Sequence, residues 1–296
     1  MALAFVQLAL TMMLVGANVV VGKVLAAALP VPVVLLLRCL LATLVLAPLA
    51  WAERGGTLPR PRILLNLLLQ AASGTVAYNM LLLAGLRRTG ALPAGLVLST
   101  LPAVVALAAA GLLRERLSRR RWVAAGLAAA GMAALARGRT EAAAGSLDGN
   151  ALVFAAVLAE AGWILLSRLS AARIGVCRGA LLMQVFGVLL LAPFAGTEAL
   201  ARLPALWADP SLAALLAFHA VTASVISVLL WFAGMRRAPA NLAGIFAVLL
   251  PATSAALAVA VLGERITAPL AAGFVLMLGS ILLATWPARS RNPAAT

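Results

Sequence analysis

Charge is scarce in this chain, and acid is scarcer still. Only 8 of the 296 residues are Asp or Glu, and charged residues of both signs reach 10%. A soluble domain carries about 25% charged and about 45–50% apolar residues. There is one His, at position 219, and there are two Cys. That leaves no His/Cys cluster with the spacing of a metal site, so neither a metal nor a cofactor is expected. His-Glu-x-x-His, Gly-x-Ser-x-Gly and paired intramembrane aspartates are all missing, which argues against an intramembrane enzyme. No sizeable polar stretch offers the soluble domain through which a receptor or scaffold would relay a signal. Cys39 and Cys177 fall near the starts of apolar runs that the topology below puts on opposite faces, so a disulfide between them is not expected.

What fills the chain is apolar. Hydrophobic residues make up 65% of it and the mean hydropathy is +1.10. No single core of this size could hide that much apolar surface from water, so the solvent must be lipid. Ten apolar runs stand near 3–29, 32–51, 63–86, 91–113, 120–137, 150–168, 177–197, 211–234, 240–262 and 268–286. At about 20 residues per span, each is long enough or nearly long enough to cross a bilayer as a helix. The runs are continuous and rich in Ala and Leu, which excludes the short alternating strands of a β-barrel. Residues 2–22 imitate a secretory signal, but they lack a basic start and the run continues past Lys23, so a retained first helix is expected.

The basic residues number 23, all but one of them Arg, and the formal net charge is +15. A basic face on a polar fold would suggest nucleic acid. Here the arginines sit singly or in short groups between apolar blocks, which makes them topology determinants and leaves nucleic acid out as a partner. With the N-terminus inside, the inner loops collect 15 of them and the outer loops 6. Both termini are therefore expected in the cytoplasm of a cell whose inner membrane holds the chain. Trp51, Trp122, Trp207, Trp231 and Trp286 fall near span ends, where indoles anchor at the headgroups; Trp163 alone lies deep in a span.

The chain repeats itself. Shifted by 149, residues 84–116 overlie residues 233–265 with 15 of 33 positions identical and no gap. Ala84-Gly85, Arg87-Arg88, Ala94-Gly95, Leu101-Pro102-Ala103 and Glu115-Arg116 all recur, and an offset of 145 lays Ala47-Pro48 on Ala192-Pro193. Five spans per copy is an odd number, so consecutive copies cross in opposite senses. The expected fold class is an all-α polytopic membrane protein of ten transmembrane helices in two inverted five-helix repeats: residues 1–140, a linker at 141–149, and residues 150–296.

Polar residues recur within these apolar helices. The 149 offset puts Gln70 on His219, Ser73 on Thr222, Thr75 on Ser224 and Tyr78, the sole tyrosine, on Ser227. Gln7, Thr11 and Asn18 lie within about 40° of one another on the first span. Such groups avoid lipid, so they either line a wet cavity or bond between helices. His219 is read as a satisfied structural histidine or as a proton-coupling group. Glu160 lies about 15 Å into the sixth span. A carboxylate there either finds a cation, with Lys23 and Arg38 as candidates, or takes up a proton. Those two cations are otherwise expected to snorkel outward or to hold neighbouring carbonyls. Pro102 and Pro251 occupy matched places and read as gating hinges or as inherited bends. Glu115 and Glu264 close the fourth and ninth spans ahead of Ser118 and Thr267, whose hydroxyls look like helix caps.

Val15-Gly16-Ala17-Asn18 followed by Lys23, Arg38 with Ala42, and the twice-used Ala-Gly-x-Arg-Arg…Leu-Pro…Glu-Arg block resemble EamA-type members of the drug/metabolite transporter superfamily. The resemblance covers nearly the whole chain, although the aromatic residues usual beside the first-helix Gly-Ala-Asn are absent. It implies export of small metabolites by alternating access, with amino-acid exporters as the preferred match. It also sets Glu160 beside the essential first-helix acid of the superfamily's small multidrug exporters. The alternatives are a proton-coupled exporter of cationic drugs and a carrier of the nucleotide-sugar type. An inverted repeat puts the site between its copies. The expected substrate walls are Asn18, Ser73, Ala77, Tyr78, Trp163, Thr222 and Ser227, with Glu160 and His219 as proton-coupling candidates. The partners are then a small-molecule substrate and the lipid bilayer; the oligomeric state stays open, and a monomer is compatible with such a site. Reporter fusions at each end test the topology: both should report cytoplasm, and either terminus outside would overturn the arginine reading.

Overall fold

A computed structural model describes residues 2–53, 59–101, 103–105, 107–108, 119–137, 146–170, 174–235 and 249–285. The described regular structure is all helical. In chain order α1 is Ala2–Ala28, α2 Val31–Ala52, α3 Pro61–Leu86, α4 Ala91–Leu98 and α5 Arg119–Arg137. Next come α6 Leu147–Ser170, α7 Val176–Ala208, and α8, which joins Pro210–Val221, Thr222–Ile226 and Ser227–Met235. Leu249–Leu262 forms α9 and Ala268–Thr285 forms α10. Among the described residues six segments are long and apolar enough to cross a membrane, from Leu3–Ala28 in α1 to Pro210–Trp231 in α8. Shorter apolar helices stand at Ala91–Val105, Trp122–Gly131, Ala252–Leu262 and Ala271–Ser280.

Proline opens several of these rods. Pro residues stand in the first turns of α2, α3 and α8, where a missing N–H costs nothing. Asp209 caps α8 by accepting from the Ser211 and Leu212 amides, both at 3.1 Å. Hydrogen bonds from the Ser211 hydroxyl and the Leu212 amide hold its carboxyl below the ordinary carboxylate range. One span departs from expectation. Helix α7 does not end near 197 but continues to Ala208 through Pro193 and Pro204. Residues 197–208 contain the strong helix formers Glu, Ala and Leu, and the i,i+4 pair Glu198–Arg202 lies 3.8 Å apart.

The helices pack in exchanged pairs. Helix α2 lies along α7 and α5 along α10, each beside its counterpart in the other copy. Helix α1 packs on α8 and α9, while its counterpart α6 packs on α3 and α4. Counterparts also run antiparallel. Lys23 near the end of α1 meets Glu264 past the end of α9, at the same face where Thr89 before α4 bonds Asn150 at the start of α6. Glu53 at the end of α2 meets the start of α7, and Arg120 at the start of α5 bonds the Leu283 carbonyl near the end of α10. Large buried side chains such as Leu25, Val33, Leu35, Leu83, Leu96 and Val157 join α1, α2, α3, α4 and α6 into one core.

Close helix approach without a hydrophobic driving force needs small residues. A Cβ added at Gly16 would lie 2.5 Å from the Leu250 carbonyl oxygen and 3.0 Å from Thr253 Cβ, so α1 and α9 touch backbone to backbone there. Gly16→Leu is expected to wedge them apart and destabilise the protein by about 1–3 kcal/mol, the usual scale of overpacking. Thermal unfolding in detergent checks this; an unchanged midpoint would mean that the two helices do not meet at Gly16.

Candidate functional site

The centre of α3 and of α8 is wound as a π-helix, over Ala71–Ala77 and Thr222–Ile226. A π-turn carries one extra residue and frees backbone carbonyls, and such turns gather at functional sites. The same bond occurs in both copies. The Tyr78 N–H donates to the Ser73 carbonyl and the Ser227 N–H to the Thr222 carbonyl, five residues back in each case and 149 residues apart. The matched polar pairs thus sit on matched widened turns.

Side chains repair what the winding leaves open. Asn79 Nδ2 donates to the carbonyls of Gly74 and Thr75, both at 3.0 Å, and the Thr222 hydroxyl donates to the Phe218 carbonyl at 2.6 Å. Each copy's first helix then crosses the other copy's π-turn. From α1, Asn18 Nδ2 donates to Thr222 Oγ1 at 3.0 Å, and Asn18 Oδ1 lies at hydrogen-bond distance, 2.7 Å, from His219 Nδ1. From α6, Trp163 lies against Gly74, where an added Cβ would stand 2.7 Å from the indole Cγ. At the 145 offset Asn18 and Trp163 are counterparts, so the two crossings are one arrangement used twice. His219 Nε2, Trp163 Nε1 and Ser227 Oγ have no hydrogen-bond partner among the described residues.

Arg38 comes to the same centre from α2. It is buried, 4% exposed, and its Nη1 donates to Asn79 Oδ1 at 2.7 Å. It therefore does not snorkel. Tyr78 and Glu160 are both half-buried.

Lys23 is not the partner of Glu160. Its Nζ pairs with Glu264 Oε1 at 2.9 Å and donates to the Thr89 carbonyl at 3.1 Å. Glu264 is more than the end of its own span. It accepts from the Ala91 and Leu92 amides at 2.8 and 3.0 Å, capping the first turn of α4 in the other copy. Nearby, Arg87 bonds the Ala26 and Leu29 carbonyls at 2.5 and 2.6 Å. At the opposite face Glu53 accepts from the Arg178 amide at 3.0 Å.

Of the residues expected to form the site, Asn18, His219 and Thr222 meet at the second π-turn, Trp163 lies on Gly74 of the first, Tyr78 follows that turn in sequence, and Glu160 stands one helical turn before Trp163 on α6. Ser73 turns back toward the Gln70 carbonyl at 3.4 Å, Ala77 closes the first π-turn, and Ser227 is buried just after the second. Of the polar stripe on α1, Thr11 bonds its own Gln7 carbonyl instead of another helix. Pro251 falls within α9, whereas Pro102, Glu115 and Ser118 lie outside the described residues. Sequence reasoning missed Asn79 and the cap by Glu264. The only trace of the π-turns was the matched polar positions.

A multi-pass helical bundle with duplicated polar crossings buried at its centre defines the class of a membrane carrier. The chain belongs to the EamA-like transporter family, whose sequence profile matches residues 2–137 and again 147–286. It is 29% identical over 289 residues to an uncharacterized transporter, YetK, of Bacillus subtilis (strain 168), covering 95% of this chain and 86% of that one. A solved crystal structure shares the fold with a TM-score of 0.63 at 18% identity, over 94% of each chain. The tie at Glu264 yields a ranking. Glu264→Ala, which removes an ion pair and a cap, should cost about 1–2 kcal/mol. Lys23→Met should cost less, because a partly exposed pair is worth about 1 kcal/mol at most. Melting in detergent gives the order, and the reverse order would refute the cap.

Proposed function

We propose that the chain is an exporter of small metabolites, most specifically of amino acids, working by alternating access between two inverted five-helix repeats. In this reading all ten helices cross the membrane, the repeats are residues 1–140 and 150–296 around a linker at 141–149, and both termini face the cytoplasm of the inner membrane. The observation that carries it is the duplicated π-turn crossed by the other copy's first helix, because an alternating-access site needs matched walls from both copies. Asn18, Ser73, Ala77, Tyr78, Trp163, Thr222 and Ser227 are the proposed substrate walls. Substrate meets few fixed charges there, which suits a net-neutral molecule better than a polyanion such as a nucleotide sugar. The aromatic surfaces of Trp163 and Tyr78 suit an apolar side chain. Export itself, and the nearer likeness to aromatic amino-acid exporters, rest on the family resemblance.

Proteoliposomes loaded with radiolabelled amino acids test this. The wild-type chain should carry amino acids, and Trp163→Ala or Tyr78→Ala should change which of them compete, beyond any change in maximal rate. If both variants keep the wild-type competition profile at normal expression, these side chains do not touch substrate. A flux that follows an imposed pH gradient and loses that dependence in Glu160→Gln puts a proton in the cycle. A flux indifferent to the gradient leaves Glu160 as a binding group alone.

A further inference from the structure

Two groups of helices face each other across the middle of the bundle. Helices α8 and α9 pack on α1 and form one group; α3 and α4 pack on its counterpart α6 and form the other. At the face where α1 ends, hydrogen bonds tie the seam between them. Glu264, past the end of α9, accepts from the Ala91 and Leu92 amides of α4, and Lys23 of α1 donates to both Glu264 and the Thr89 carbonyl. Arg87, just after α3, holds the Ala26 and Leu29 carbonyls from the other side. The Ser254 hydroxyl of α9 donates to the Ala91 carbonyl at 3.1 Å. The tie at Glu53 is of another kind, since it joins α2 to α7, outside both groups.

Two glycines seat this tie. Gly263 follows α9 with φ +66, a conformation that L side chains rarely adopt, and the Glu264 amide returns to the Ala258 carbonyl at 3.1 Å. That turn aims the carboxylate at α4. There Gly90 has no side chain with which to cap the helix, and a Cβ on it would stand 2.8 Å from Glu264 Oε2. The 149 offset keeps the acid, as Glu115, but sets Arg114 opposite Gly263 and Pro239 opposite Gly90. The duplication has preserved the carboxylate and lost both residues that seat it. The tie is also reachable by water. The side chains of Lys23 and Glu264 are 30% and 17% exposed, so solvent can take up both charges when the seam parts.

We propose that Glu264, Lys23 and the first turn of α4 form a releasable latch, of a design that the sequence provides at one face only, which holds the carrier shut on the side where α1 ends. In the topology proposed above that side is the outside. The resting carrier is then closed outward and takes its cargo from the cytoplasm. This rests on the alternating-access reading and deepens it by naming the state in which the carrier waits.

The test uses no substrate, so it stands apart from the amino-acid reading. Ser254→Cys puts a thiol directly beneath the latch, at a position with 0% exposure. In a Cys177→Ser background its reaction with a membrane-impermeant maleimide is followed by peptide mapping, in intact cells and in inside-out vesicles. When opening and closing are fast beside the reaction, the rate follows the open population. From outside, the thiol should react slowly in this parent and about ten-fold faster once Glu264→Ala is added. Gly263→Ala should give about five-fold, the scale of one residue forced into the left-handed region. It serves where Glu264→Ala does not fold, because nothing lies within 4 Å of the added Cβ. Folded variants that react no faster than the parent overturn the latch. An equal gain from both sides overturns it too, since the bundle would then have loosened as a whole. A gain confined to inside-out vesicles keeps the latch and overturns the topology proposed above.

Discussion

Lipid offers no hydrogen bonds, and the rest of this structure follows from that constraint. Polar groups in the bundle are driven to partners inside the protein, so those that bond across helices report and enforce a helix contact. Asn18 joins α1 to α8 through His219 and Thr222. Asn79 serves the loosened carbonyls of α3 and holds Arg38 of α2 with its remaining oxygen. Single interhelical bonds of this kind are individually weak, about 0.6 kcal/mol on average. Their larger effect is on register: a helix that slid by one residue would strand its polar group in hydrocarbon.

Duplication supplies the geometry and divergence supplies the chemistry. The π-turn bond from Tyr78 to Ser73 and that from Ser227 to Thr222 are the same backbone event in two copies. The side chains placed upon it differ. One crossing is a hydrogen-bonded Asn-His-Thr cluster, and the other is an indole lying on a glycine. Glu160 has no acidic counterpart in the first copy, where Val15 stands.

Much of this was legible in the order of residues. Hydrophobic runs located the helices, and the 149-residue offset paired Gln70 with His219 and Ser73 with Thr222 before any helix was placed. Such patterns are visible because they depend on spacing within one helix or between copies. The contact of Glu264 with Ala91 was not legible, since a residue that closes one helix carries no mark of capping another 173 positions away. The π-turns were hidden because small and β-branched residues occur throughout membrane helices. Ending the seventh span near 197 also misled, since Pro193 and Pro204 both stand inside the helix. The lost backbone bonds were tolerated within a run of otherwise strong helix formers, so α7 went on.

That long helix has a consequence for the membrane around it. With 33 residues α7 measures about 50 Å, against a hydrocarbon slab of about 30 Å. Tilt alone would have to exceed 50° to hide it, beyond the 0–40° that spanning helices adopt. Its last three turns must therefore surface among the headgroups, where Glu198 and Arg202 are at home beside the strongly exposed Phe194 and Leu200. The bundle thus carries an outrigger on one face, a rod whose last third lies beyond the acyl chains. Lipids next to it must stretch or lean to match it, so a thicker or thinner bilayer would act first on this helix and, through it, on α2 alongside.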